Sequence, residues 1–230
     1  MTHTFKTVAG ALILLLLGAG HSLAGESAAL QTCASCHDLK GPAPVIAEKA
    51  RARKGPDLFY AGIKYREEWL AKWLQNPIRI RPAGYKYWEH IKPQAAGPDQ
   101  VDSATLEPHV KLSADEAKAA ASELMKLKAN EGAVKKTALT PDEIDGFMAE
   151  MNFDKFSGCL ACHQIEPGYG GVTGPEVYTV GERLQPDFVY SYLKSPQAFD
   201  PKGWMPDKQL GENNLQTLSK FMIGLVKEAK

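Results

Sequence analysis

The chain has 230 residues, 44% of them hydrophobic and 23% charged, with 27 Lys+Arg against 27 Asp+Glu. That composition excludes a disordered chain, a collagen-like chain and a multi-span membrane protein. The lack of a basic excess argues against nucleic-acid binding. The length fits one or two domains with real cores.

Chemistry begins at the N-terminus. Lys6 precedes an apolar run over 8–20, and Ser22-Leu23-Ala24 stands before Gly25 like a small-residue cleavage site. This is the plan of a secretory signal peptide over 1–24. The competing reading, an uncleaved anchor, is weakened by length, because a bilayer span needs about 20 apolar residues. The expectation is an exported, periplasmic protein starting near Gly25, with no stable membrane span. Cleavage would leave 26 basic and 27 acidic residues, and His37, His90, His109 and His163 as the histidines.

Two motifs follow, Cys33-Ala-Ser-Cys36-His37 and Cys159-Leu-Ala-Cys162-His163. Both are C-x-x-C-H, the attachment pattern of c-type haem. Cysteines three apart on one helical turn can bond the two vinyl groups of one porphyrin, and the next residue brings an imidazole to the iron. A zinc ribbon would set its knuckles about 15–20 residues apart; here they are 126 apart. A thioredoxin-like pair needs no histidine after its second cysteine. Plain disulfides suit an oxidising compartment, but a C-x-x-C loop strains them. The expected cofactors are two covalently bound haem c, held by Cys33, Cys36, His37, Cys159, Cys162 and His163.

The two halves repeat. At an offset of 119, Gly55-Pro56 lies over Gly174-Pro175, Gly62 over Gly181, Trp69 over Phe188, Pro77 over Pro196 and Gly84 over Gly203. Farther on, Leu112 matches Leu210 at an offset of 98, so 21 residues are inserted between about Lys86 and Pro108. The expected elements, in chain order, are a short helix into the first motif, a helix from Arg66 to Leu74 stopped by Asn76-Pro77, and a helix capped by Ser113 and Glu116 running to about Lys128. The second half repeats them. Thr140-Pro141-Asp142-Glu143 reads as a capping box; a helix spans 186–193, and another spans about 212–227. The stretch 129–137 reads as the connection, so the domains run 25–130 and 140–230 with 131–139 between them.

The motifs and the repeat resemble dihaem cytochromes c built from two tandem class I domains. The resemblance covers essentially the whole mature chain. It implies an all-α fold with each domain wrapped around one covalent haem. It also implies that the carbonyls of Pro56 and Pro175 accept the proximal imidazole hydrogen bonds, with Gly41-Pro42 a rival in the first domain.

Class I domains place a distal Met on the loop before the last helix, and Met205, in Gly203-Trp204-Met205-Pro206, matches. Met222 is better read as core. In the first half Lys86 or Glu107 falls at that position, depending on the register, and Met125 sits in the terminal helix opposite Met222. Methionine ligation is therefore expected to be lost there. Candidate replacements are His109, His90, Lys86 and Tyr87, or an open or water-bound site.

The expected function is electron transfer between redox partner proteins, with haem 1 at lower potential than the His/Met haem 2. The alternative is a redox enzyme, or the cytochrome subunit of one, with small-molecule chemistry at haem 1. Its motive is the insertion, whose Tyr85, Tyr87 and Trp88 could wall a pocket.

Overall fold

The computed structural model describes residues 1, 28–96, 99–136, 139–140 and 142–225. Met1 apart, the expected signal peptide and its cleavage point lie outside the described residues. The fold is mostly helical, with two small hairpins. The first half contains α1 (Gln31–Ala34), α2 (Ala47–Arg51), α3 (Ala61–Lys64), α4 (Glu67–Gln75) and α5 (Ala114–Leu124). The second contains α6 (Gly146–Met151), α7 (Val180–Arg183), α8 (Pro186–Lys194) and α9 (Glu212–Gly224). β1 (Ile91–Lys92) and β2 (Gln100–Val101) form an antiparallel hairpin in the insertion; β3 (Gln164–Glu166) and β4 (Tyr169–Gly170) form one after the second motif.

The repeat is carried by the elements. α3 and α7 start and end 119 residues apart, as do α4 and α8. α4 carries Glu67 and Glu68 in its first turn and Lys72 in its last, which suits the helix dipole. It buries Leu70 and Leu74 against α5, whose facing residues Ala117, Ala120 and Ala121 are small enough for close approach. The Ser113–Glu116 capping box forms. α5 ends at Leu124, earlier than expected, where the chain turns back and Leu127 accepts from Gly62 N at 2.8 Å.

At Gly62 an added Cβ would overlap the Met125 carbonyl oxygen; at Gly181 it would overlap that of Ile223. Met125 is thus the counterpart of Ile223, one residue past Met222, which corrects the expected pairing. The second-half helix also begins later than its Thr140 signal suggests. Residues 142–145 are not helical, and Asp145 caps α6 by accepting from Met148 N at 3.0 Å. Pro141 lies outside the described residues. The connection is not a free tether: Ala129 N bonds Phe59 O, Val134 is buried, and Lys135 N bonds Ser191 Oγ.

The halves meet across a local two-fold relation. Tyr65 bridges Leu184, its own counterpart 119 residues on. Arg66 N donates to Arg183 O and Gln185 N to Lys64 O, both at 2.9 Å. The side chains repeat the reciprocity, with Arg66 Nε on Leu184 O and Gln185 Nε2 on Tyr65 O. Such pairing of like with like is isologous, as in a symmetric dimer. Flanking it, Tyr60 stacks on Phe188, so one apolar cluster draws residues from both halves.

A charged knot closes the same seam. Arg53 donates to Asp57 at 2.6 Å and to both oxygens of Asp200 at 2.9 and 3.0 Å. Tyr85 lies beside both Arg53 and Arg81. Burial pushes the Asp57 carboxyl above its ordinary value, against the opposing pull of Arg53. A carboxyl raised in the fold holds its proton longer than in the unfolded chain, so its contribution to stability falls as pH rises from the ordinary carboxylate range toward the raised value. Arg53→Met removes the compensating cation. Breaking a buried pair in this way costs about 3–5 kcal/mol near neutral pH. We expect the gap in melting temperature between wild type and variant to narrow on acidification, as Asp57 becomes protonated in the folded state of both proteins. Thermal unfolding between pH 7 and 4 measures it.

Candidate functional site

The two C-x-x-C-H segments adopt the same turn. His37 N bonds Cys33 O at 2.9 Å and His163 N bonds Cys159 O at 3.1 Å; Cys36 N and Cys162 N reach the same carbonyls at 3.1 Å. This winds the two cysteines and the histidine of each motif around one helical turn. The approaches differ. Cys33 lies within α1, whereas a π-helical segment (Asn152–Phe156) and Gly158, at φ +65°, turn the chain into Cys159. None of the four cysteines is in a disulfide.

Each histidine is held from behind. The Nδ1 of His37 lies 2.7 Å from Pro56 O, and that of His163 lies 2.7 Å from Pro175 O. A carbonyl only accepts, so Nδ1 carries the proton in both rings and Nε2 is left as the free ligand atom. Pro56 therefore takes this place rather than Pro42. The glycine before each proline lies under the ring: a Cβ at Gly55 would stand 2.5 Å from His37 Cε1, and one at Gly174 2.7 Å from His163 Cε1.

Burial holds both imidazoles below their ordinary pKa, with His109 and Lys64 pushing His37 the same way, and Arg81 and Arg183 pushing His163; the proline carbonyls oppose this. The neutral ring is the form that binds a metal. Burial pushes the Cys33 and Cys159 thiols up. A redox-active cysteine needs the opposite shift, so this environment does not suit a thioredoxin-like site.

Each half supports the other's histidine turn. In the turn behind His163, Thr173 O accepts from Arg81 Nη1, Val172 O accepts from Ala83 N, and Glu176 N donates to Ile80 O. In return Asp200, the counterpart of Arg81, holds Arg53 next to the turn behind His37. These supports join residues far apart in sequence and are not visible in either motif.

The distal candidates separate. His109 lies on the irregular segment before α5, with its ring centroid 6.2 Å from that of His37. His90 is engaged inside the insertion, where Nδ1 meets Thr105 Oγ1 at 2.9 Å and the ring lies against Gly84. Lys86 pairs with Glu89 at 3.3 Å, and Tyr87 lies in the short turn beside them. Glu107 is exposed, its carbonyl accepting from Arg79. Trp88 packs against Trp204, centroids 5.7 Å apart and rings tilted by 30°, next to Met205 in the chain. Met205 is half-buried against the second-half core, and Gln197 Nε2 holds its carbonyl at 2.9 Å. Met222 is buried in α9.

Among the described residues no helix is long and apolar enough to cross a membrane, and no three His, Cys, Asp or Glu side chains gather as a site for a bare metal ion. No protein-family model, curated protein or solved structure matches the chain.

Proposed function

We propose that this chain is an exported, periplasmic dihaem c-type cytochrome that carries electrons between redox partner proteins, built from two tandem class I domains at 25–130 and 140–230. One observation carries the reading. Two C-x-x-C-H turns of the same backbone geometry each present a histidine whose Nδ1 is tied to a proline carbonyl at 2.7 Å and whose ring rests on a glycine. That is the support a metal-ligating imidazole requires, and it occurs twice, in the registers the repeat predicts.

Bound haem supplies reversible one-electron chemistry at iron. The protein residues do the rest. Cys33 and Cys36, and Cys159 and Cys162, are the attachment points. His37 and His163 offer Nε2, fixed in tautomer and orientation by Pro56 and Pro175. Met205 would hold the iron of the second site through its thioether, a donor that raises the potential. No methionine is available at the matching first-half positions, Lys86 and Glu107, so the first site takes a harder donor and the lower potential. With haem bound in both halves, the first half would be the donor and the second the acceptor, with the two-fold seam between them.

A reductive titration of the purified protein tests this. Two one-electron steps should appear, the higher one belonging to the species with the red-end thioether–iron absorption band. A single two-electron step, or a protein without haem absorbance, contradicts the reading.

A further inference from the structure

The geometry points to His109 as the distal ligand of the first site, making it a bis-imidazole centre with His37; this rests on the haem reading above. A metal ion about 2 Å from a nitrogen of each of two imidazoles puts the ring centroids roughly 6 Å apart. The rings of His37 and His109 stand 6.2 Å apart. Their hydrogen bonds select the same tautomer. His37 Nδ1 lies 2.7 Å from Pro56 O, and His109 Nδ1 lies 2.8 Å from Val110 O. Carbonyls only accept, so both Nδ1 atoms are protonated and both Nε2 lone pairs remain for a shared ion.

The His109 ring is also positioned. It sits on Trp73 in an edge contact, centroids 4.7 Å apart, at the end of a ladder in which Tyr65, just before α4, stacks on Trp69 and Trp69 on Trp73. Trp73 is fixed by its own bond from Nε1 to Ile78 O at 2.9 Å. On either side of His109 the segment is pinned, by Arg79 on Glu107 O and by Leu112 N on Leu74 O, both at 3.0 Å. The rival donors His90 and Lys86 are engaged within the insertion.

With His37 and His109 both holding the iron, the first site would have no position left for an outside ligand. The insertion then guards no open coordination site, and the first half serves electron passage rather than binding of a small molecule at iron.

The test uses the full-length holoprotein with carbon monoxide as the probe. Wild type should be low-spin at both haems and bind no carbon monoxide at the first. His109→Ala should keep two haems per chain, convert one of them to high spin, and bind one carbon monoxide per chain on reduction. Imidazole added to the buffer should restore the low-spin spectrum. A second variant, His109→Met, should add a second thioether–iron band and raise the lower potential. Two covalent haems with ligation unchanged in both variants would overturn the assignment of His109 alone. Ready binding of carbon monoxide by wild type at the first haem would overturn it as well. Lack of covalent haem in wild type would overturn the cytochrome reading and this assignment together.

Discussion

Met205→Ala should abolish the thioether–iron band and lower the higher of the two potentials. Axial ligands spread haem potentials over about 0.8 V, so a loss on the order of 0.2 V is expected. At about 59 mV per tenfold change in a one-electron equilibrium, that is more than three orders of magnitude in the equilibrium constant for electron transfer between the two halves. The two steps of a reductive titration should then converge. The substitution should cost little in folding, because Met205 is only half-buried and its loop is held through backbone contacts: Gln197 on the Met205 carbonyl, and Gly203 N on Asp200 O at 2.9 Å. Survival of the band would move the ligand elsewhere, with Met222 first in line.

The second large effect is expected at a residue that touches no iron. Gly174→Ala would place a Cβ 2.7 Å from both Cε1 and Nδ1 of His163 and 2.8 Å from the Cys162 carbonyl oxygen. The ring cannot retreat without losing its bond to Pro175 O. Overpacking of this kind costs about 1–3 kcal/mol, and loss of an outer-sphere partner weakens metal binding by roughly 10–100-fold. The haem should remain attached through Cys159 and Cys162, while the melting temperature falls and the second haem shifts toward high spin. Gly55→Ala should do the same at the first site, where the Cβ would stand 2.5 Å from the His37 ring. If both variants kept wild-type spectra and stability, the glycines would have no part in seating the imidazoles.

Much of this is legible in the sequence. The prolines and glycines that punctuate the chain do so through local backbone physics, and local physics survives in a sequence. Asn76-Pro77 and Ser195-Pro196 stop α4 and α8 where the residue before proline leaves the helical region. The Ser113–Glu116 capping box was legible for the same reason. The proline carbonyls behind the two histidines were implied by the resemblance to class I domains, which left Pro42 as a rival to Pro56.

What escaped was non-local. Arg53 meets Asp200 across 147 positions, and Arg66 meets Leu184 across 118. No periodicity links them, so the reciprocal support of each histidine turn by the opposite half emerges only in three dimensions. Thr140 misled because a cap signal competes with tertiary contacts: its backbone N bonds Gln216 and its hydroxyl accepts from Lys220, which tie it to α9 instead of opening a helix. His109 was one of four candidates because an insertion destroys register; the 6.2 Å approach to His37 distinguishes it from the other three.

The central claim, that each C-x-x-C-H turn holds a covalent haem, is tested most directly by the intact mass of the purified, denatured protein. The account predicts the mass of the processed polypeptide plus two haems, with the colour retained through acid–acetone extraction, and plus one haem when Cys159 and Cys162 are both replaced by serine. A mass equal to the bare polypeptide, or colour released into the solvent, would contradict it.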